Sequence, residues 1–409
     1  MVNRWVVSPL QKLVWTLALS LAAPAAALEP PAAERTRFLV FPLADLTSTP
    51  SLAWLGEGLA IALANQLEAA GFDAVDRDTR VGFADAAGLP RGTPLSRATM
   101  IRIAREVGAD RLVFGSYSAA GESIRVTAGV LDVRGMKLGP EVVAAAPVKR
   151  LAEAENELAW QIASGSRPRG GETRETFRQR MRSVPNDAFS YYVRTLGLGD
   201  PNSRSKLLLR AIELYPGFPE ALFLLGKDYY RRGDWSQAAE TLEKVREDSR
   251  CYTEARFMLG TCQYLKGLFQ DAVRSYSTVL GFGERVEVDN NLGAAYLRAG
   301  DLPQGVRHLS QAHALSRGDA LVAMNLAVAR QLEGDERASQ RLLEGALRSN
   351  PDNGLLHYLL YQALKGQGLE HRALQALDDA IRAGIDPESV KNEDPRSWLQ
   401  IHMTWSSAR

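Results

Sequence analysis

Five histidines, His308, His313, His357, His371 and His402, and two cysteines, Cys251 and Cys262, are the residues of this chain best suited to bind metal or act as nucleophiles. Their spacing serves neither task. Two histidines over one zinc on a helical face need the HExxH pattern, and no pair here has it. The cysteines stand eleven residues apart along what reads as mostly one helix, hence about 16 Å at 1.5 Å per residue. A disulfide needs Cα atoms within about 7 Å, so both are expected as free, small core residues. Gly56-Glu57-Gly58 stands between a strand and a helix, where a phosphate loop would, but it lacks a third glycine. Glu57 would also repel a pyrophosphate from the helix N-terminus. Asp76 and Asp78 lie two apart in an expected loop, with no burial in view to raise a carboxylate into acid–base range. No catalytic residue, cofactor site or metal site is assigned, and the chain is not expected to be an enzyme.

Recognition is the chemistry the remaining pattern suits. Phe189, Phe223, Phe257, Asn290, Met324 and Tyr358 recur every 33 or 34 residues, and Lys227, Tyr230 and Tyr264 recur beside them. Large aromatic side chains bury much area at low entropy cost, which suits them to docking a protein segment.

The elements that must position these residues repeat with the same period. Between Asp187 and Asp386 each of six copies reads as two short amphipathic helices. A tight spot on the first helix carries Tyr192, Gly226, Gly260, Gly293, Ala327 and Tyr361. Seven residues later come Gly199, Gly233, Gly267, Gly300, Gly334 and Gly368. A glycine there takes the left-handed conformation that ends one helix and lets the next run back. The second helices carry Leu208, Leu242, Tyr276, Leu309, Leu343 and Leu377, large residues that interdigitate with the small ones.

The pairs Leu225-Gly226, Leu259-Gly260, Leu292-Gly293 and Leu326-Ala327, the aromatics Tyr229 and Tyr296, and the closing Pro216 and Pro351 resemble the tetratricopeptide repeat. The likeness covers about half the chain, with Gln263, Arg330 and Leu364 replacing the aromatic. It implies an all-α superhelical solenoid whose first helices line a concave face. On that face the fifth helical position, Phe189 to Tyr358 above, is expected to look into the groove. The two-lysine, two-asparagine carboxylate clamp of chaperone-binding relatives is not reproduced, so capture of a partner's C-terminus is not expected.

Ahead of the repeats, Arg4 and Lys12, the apolar run Leu13 to Ala23, and Ala25-Ala26-Ala27 fit an export signal over residues 1–27. Cleavage is expected after Ala27, leaving no integral membrane span. Residues 28–163 read as β-α-β-α-β-β-β-α, a compact α/β layer. Its strands are expected at Arg37 to Pro42, Phe72 to Asp76, Arg111 to Ser118, Ser123 to Val133 and Glu141 to Val148. Its helices are Leu55 to Ala70, the Ser96-capped run to Val107, and Leu151 to Ile162. Phe41-Pro42-Leu43-Ala44-Asp45, Trp54-Leu55-Gly56-Glu57-Gly58-Leu59 and Gly108 to Tyr117 resemble the amino-terminal domain of TolB and, more distantly, CsgG-type envelope modules. That resemblance implies a mixed sheet with flanking helices acting as a protein–protein module of the bacterial envelope. Residues 164–184 form a linker with a short helix expected over Glu172 to Ser183. The array follows over 185–387 and a capping tail over 388–409.

The net charge of +1 leaves no basic stripe for nucleic acid. A periplasmic, non-catalytic adaptor for protein or peptide partners is therefore expected. The alternative is a component of an outer-membrane or secretion assembly that forms homo-oligomers through its first domain.

Overall fold

A computed structural model describes residues 35–47, 49–89, 95–166, 173–181, 184–283 and 285–404. The expected export segment lies outside them. The described residues form two compact units, one of 35–47 with 59–181, the other of 49–58 with 184–404. None of their helices is long and apolar enough to cross a membrane.

The first unit is a seven-stranded mixed sheet. Its strands are β1 (Arg37–Val40), β2 (Ala44–Asp45), β3 (Asp73–Ala74), β4 (Arg111–Ala120), β5 (Ser123–Asp132), β6 (Lys137–Leu138) and β7 (Val142–Pro147). β1 pairs in parallel with β3 and β4, and β5 runs antiparallel to β4, β6 and β7. The β4–β5 hairpin turns at Gly121 and Glu122. Gly121 alone has positive φ there (60°), the demand of a type II′ turn at its first position. One apolar cluster gathers Leu39, Phe41 and Leu112 with Ile103 and Val107, the last two at the end of α3 (Arg97–Glu106), which Ser96 caps.

Helices α1 (Leu55–Ala69) and α4 (Leu151–Ser166) fall where their apolar periodicity puts them. Gln66 of α1 donates to Asn156 of α4 at 2.9 Å. The segment around Asp76 and Asp78, expected as a loop, is instead a helix, α2 (Arg77–Ala86). Asp76 accepts the Thr79 N–H at 2.7 Å and its hydroxyl at 2.8 Å, so its carboxylate works as a helix cap. A short helix α5 (Arg174–Arg180) follows, capped by Thr173.

The second unit stacks six helix pairs: α6 (Asn186–Thr195) with α7 (Pro201–Leu214), α8 (Pro219–Arg232) with α9 (Trp235–Glu243), α10 (Tyr252–Leu265) with α11 (Phe269–Leu280), α12 (Val286–Arg298) with α13 (Leu302–Leu315), α14 (Ala320–Leu332) with α15 (Glu336–Leu347), and α16 (Gly354–Gly366) with α17 (Glu370–Arg382). The small-against-large rule is literal. A Cβ on Gly226 would sit 2.6 Å from Leu242 Cγ, one on Gly260 2.9 Å from Tyr276 Cδ1, and one on Gly293 2.6 Å from Leu309 Cγ. Five of the turn glycines, Gly233, Gly267, Gly300, Gly334 and Gly368, have φ between 73° and 90°. Gly199 does not, and α6 ends instead in a short turn through Leu196 and Leu198. A small helix α18 (Pro387–Val390) and a turn at Pro395–Trp398 lead into a final segment, 399–404, without regular structure.

Candidate functional site

Asparagine is a poor interior residue of a helix because its amide competes for backbone partners. Yet Asn290 and Asn291 of α12 and Asn325 of α14 lie mid-helix and fully buried. Buried amides need partners, and these three find theirs in the chain's own C-terminal segment.

Asn325 Nδ2 donates to the Gln400 carbonyl at 2.6 Å, and its Oδ1 accepts the Gln400 N–H at 3.0 Å. One repeat earlier, Asn291 does the same to His402, at 2.9 Å to the carbonyl and 2.7 Å from the N–H. In an extended strand a residue's N–H and C=O point to the same side, as do those of its neighbour two positions on. The two carboxamides therefore stand in for the edge of a neighbouring strand. Asn290 bridges them, accepting from Asn325 Nδ2 at 2.8 Å and donating to Gln400 at 3.2 Å. Behind the ladder, Asn291 Nδ2 also donates to Tyr276 Oη at 3.3 Å, and that oxygen lies 3.0 Å from Thr261 Oγ1.

The segment crosses the inner helices from the sixth pair back to the second. Trp398 meets Tyr358 of α16 edge-on, ring centroids 5.6 Å apart. Arg298 of α12 donates to the Arg396 carbonyl at 3.1 Å, Tyr264 of α10 to that of Leu399 at 3.5 Å, and Tyr230 of α8 to that of Met403 at 2.7 Å. Burial pushes the Tyr264 phenol up to about 12 and raises those of Tyr230 and Tyr276 as well, so all three stay protonated donors at neutral pH. His402 Nε2 sits 3.2 Å from Asp319 Oδ2, while Asp319 Oδ1 accepts the Leu321 and Val322 N–H groups that open α14.

Of the nine residues that the sequence marks for the groove, four touch this segment: Tyr230, Tyr264, Asn290 and Tyr358. Lys227 and Phe223 lie together, Lys227 Nζ 5.1 Å from the Phe223 ring centre and 2.8 Å from Glu254 Oε1. The other three are core. Phe257 is wholly buried against Tyr276, Met324 is inside the cluster of the last repeats, and Phe189 packs on Trp54, Tyr192 and Phe218. The open aromatic stripe expected at the fifth position is therefore absent. Neighbouring helices bury three of its members, the C-terminal segment covers Asn290 and Tyr358, and Phe223 alone stays partly exposed.

Sequence reasoning missed Asn291, Asn325, Asp319 and the segment itself. The available signal was two asparagines 34 residues apart at one register of consecutive first helices. These amides grip peptide groups in mid-segment, a different task from the terminal-carboxylate clamp. The histidines do not converge: His308 is buried 2.9 Å from Asp289 and stacked on Tyr296, and His357 bonds the Pro351 carbonyl. Both cysteines are free, and burial pushes each thiol up to about 12.

A stack of antiparallel helix pairs with an extended segment along its inner helices defines a helical-repeat scaffold. Residues 223–284 match the tetratricopeptide repeat family. The chain is similar in structure to MamA, at 19% identity over 42% of this chain and 94% of that one, with a TM-score of 0.37. It is also similar to YrrB, described as a TPR protein with an unusual peptide-binding site, at 16% identity over 44% and 93% of the two chains, with a TM-score of 0.39. Among curated proteins none matches.

Proposed function

We propose that this chain is an exported, non-catalytic adaptor of the cell envelope whose helical repeats hold extended segments of partner proteins along their inner helices. The observation that carries the reading is the double grip of Asn291 and Asn325 on alternate peptide groups. Such a grip recognises extended backbone whatever chain supplies it. Export rests on the charged, apolar and small-residue pattern of residues 1–27. The α/β unit, with its likeness to the amino-terminal domain of TolB, supplies a second protein-binding module.

A photo-crosslinking residue at Phe223, beside the groove, and another at the exposed Arg274 on an outer helix test this in cells. Crosslinks to envelope proteins from position 223 but not from 274, on mature protein beginning at Leu28, are expected. Crosslinks from 274 alone would move the binding face, and a protein beginning at Met1 in the cytoplasm would end the export reading.

A further inference from the structure

We propose that Trp398–Met403 is a built-in pseudo-ligand. The groove takes an extended segment bearing an aromatic residue, an aliphatic neighbour and a histidine three positions further on, and the chain fills it with its own copy until a partner displaces that copy. The inference rests on the peptide-groove reading and adds the ligand's chemistry and its control.

Three side chains define the pattern. Trp398 lies edge-on to Tyr358. Leu399 is 6% exposed within the apolar cluster of the last three repeats. His402 faces Asp319, whose other carboxylate oxygen is held by the N-terminus of α14, so the free oxygen is fixed in direction. A carboxylate oxygen fixed in direction selects a hydrogen-bond donor at this position. Between these, Gln400 is exposed and Ile401 half-buried, and the grip on positions 400 and 402 is to the backbone.

The segment is also built to leave. Residues 399–403 belong to no helix or strand, and the bonds described for them to the array end on side chains: Asn290, Asn291, Asn325, Tyr230, Tyr264 and Asp319. The helix pairs beneath also pack directly against one another. A strap held only by side chains can dissociate while the solenoid stays folded.

The test uses the full chain and a fluorescent peptide spanning Asp394 to Thr404. Trp398→Ala with His402→Ala should weaken the resident segment and open the groove, so that this variant binds the peptide at least tenfold more tightly than the native chain. Adding Asn325→Ala should reverse the gain. A second form carries a protease site between Lys391 and Glu393 and is cut after folding, which avoids any loss of folding. Excess unlabelled peptide should then release the severed segment on gel filtration. Retention of that segment against excess peptide would overturn the proposal. So would equal peptide binding by native and opened chains that depends on Asn325, an outcome that leaves the peptide groove standing. No binding by either form would overturn both readings. Concentration-dependent dimers of the native chain that vanish in the Trp398→Ala, His402→Ala variant would place the segment in a second copy and overturn the intrachain assignment.

Discussion

Asn325 holds Gln400 by both sides of one residue, donating to its carbonyl at 2.6 Å and accepting its N–H at 3.0 Å. The pairing has the form of a β-ladder made with a single side chain. Hydrogen exchange should therefore be slow at the Gln400 and His402 amides. Asn325→Ala should speed Gln400 about tenfold, as expected from losing about 1.4 kcal/mol of hydrogen bonding, and Asn291→Ala should do so at His402. Equal exchange at 400 and 402 in native and variant chains would contradict the ladder.

Phe257 and Phe223 separate core from surface on neighbouring repeats. Phe257 is fully buried against Tyr276 and Phe223 is only partly covered. Phe257→Ala should cost about 3–5 kcal/mol of folding free energy, while Phe223→Ala should stay within about 1 kcal/mol. Urea unfolding of the array measures both.

Arg204 of α7 clamps Asp228 of α8 with two bonds, at 2.7 Å and 2.5 Å, and Asp228 is 1% exposed. Arg204→Ala leaves a buried carboxylate alone and should cost about 3–5 kcal/mol, whereas replacing both partners by apolar residues of similar volume should recover most of the loss. Thermal unfolding of single and double variants decides this.

Glu155 gives the α/β unit a pH dependence. Burial pushes its carboxyl up to about 7 from an ordinary value of 4.5. The folded state thus binds the proton more tightly than the unfolded one. The stability linked to it is fully present below about pH 4.5 and is lost as pH rises through about 7. Glu155→Gln should flatten that window and stabilise the unit at pH 8 by on the order of 3 kcal/mol, read by amide exchange in β4 and β5.

Gly293 and Gly165 are both helical glycines, and propensity alone favours alanine at each by about 1 kcal/mol. Packing reverses this at Gly293, where a Cβ would lie 2.6 Å from Leu309 Cγ and 3.1 Å from the Gly305 carbonyl; at Gly165 it would meet nothing within 4 Å. Gly293→Ala should destabilise by about 1–3 kcal/mol and Gly165→Ala should not, as calorimetry can show.

What was legible in the sequence was local. A turn glycine states its own requirement for positive φ, and Gly226 with Leu242 or Gly293 with Leu309 are neighbours within one helix pair, sixteen residues apart. The α2 helix was missed because its apolar content is thin, although Asp76 with Thr79 carried the cap signal. The groove was legible only in part. Whether Phe257 or Met324 faces outward depends on how one repeat rests on the next, which no single repeat encodes. Asn291 and Asn325 stand one residue beyond the fifth position, about 100° around the helix. Their partner, Gln400 to His402, lies 75 and 111 residues away in a segment with no periodicity of its own.

Arg382, where α17 ends, and Trp398 are sixteen residues apart. A tether that short holds the resident segment at an effective concentration on the order of millimolar. A free peptide of equal intrinsic affinity would have to match that figure, which dissolved partners in a cell seldom do. A partner with a second point of attachment to the array would acquire a local concentration of its own and compete on equal terms.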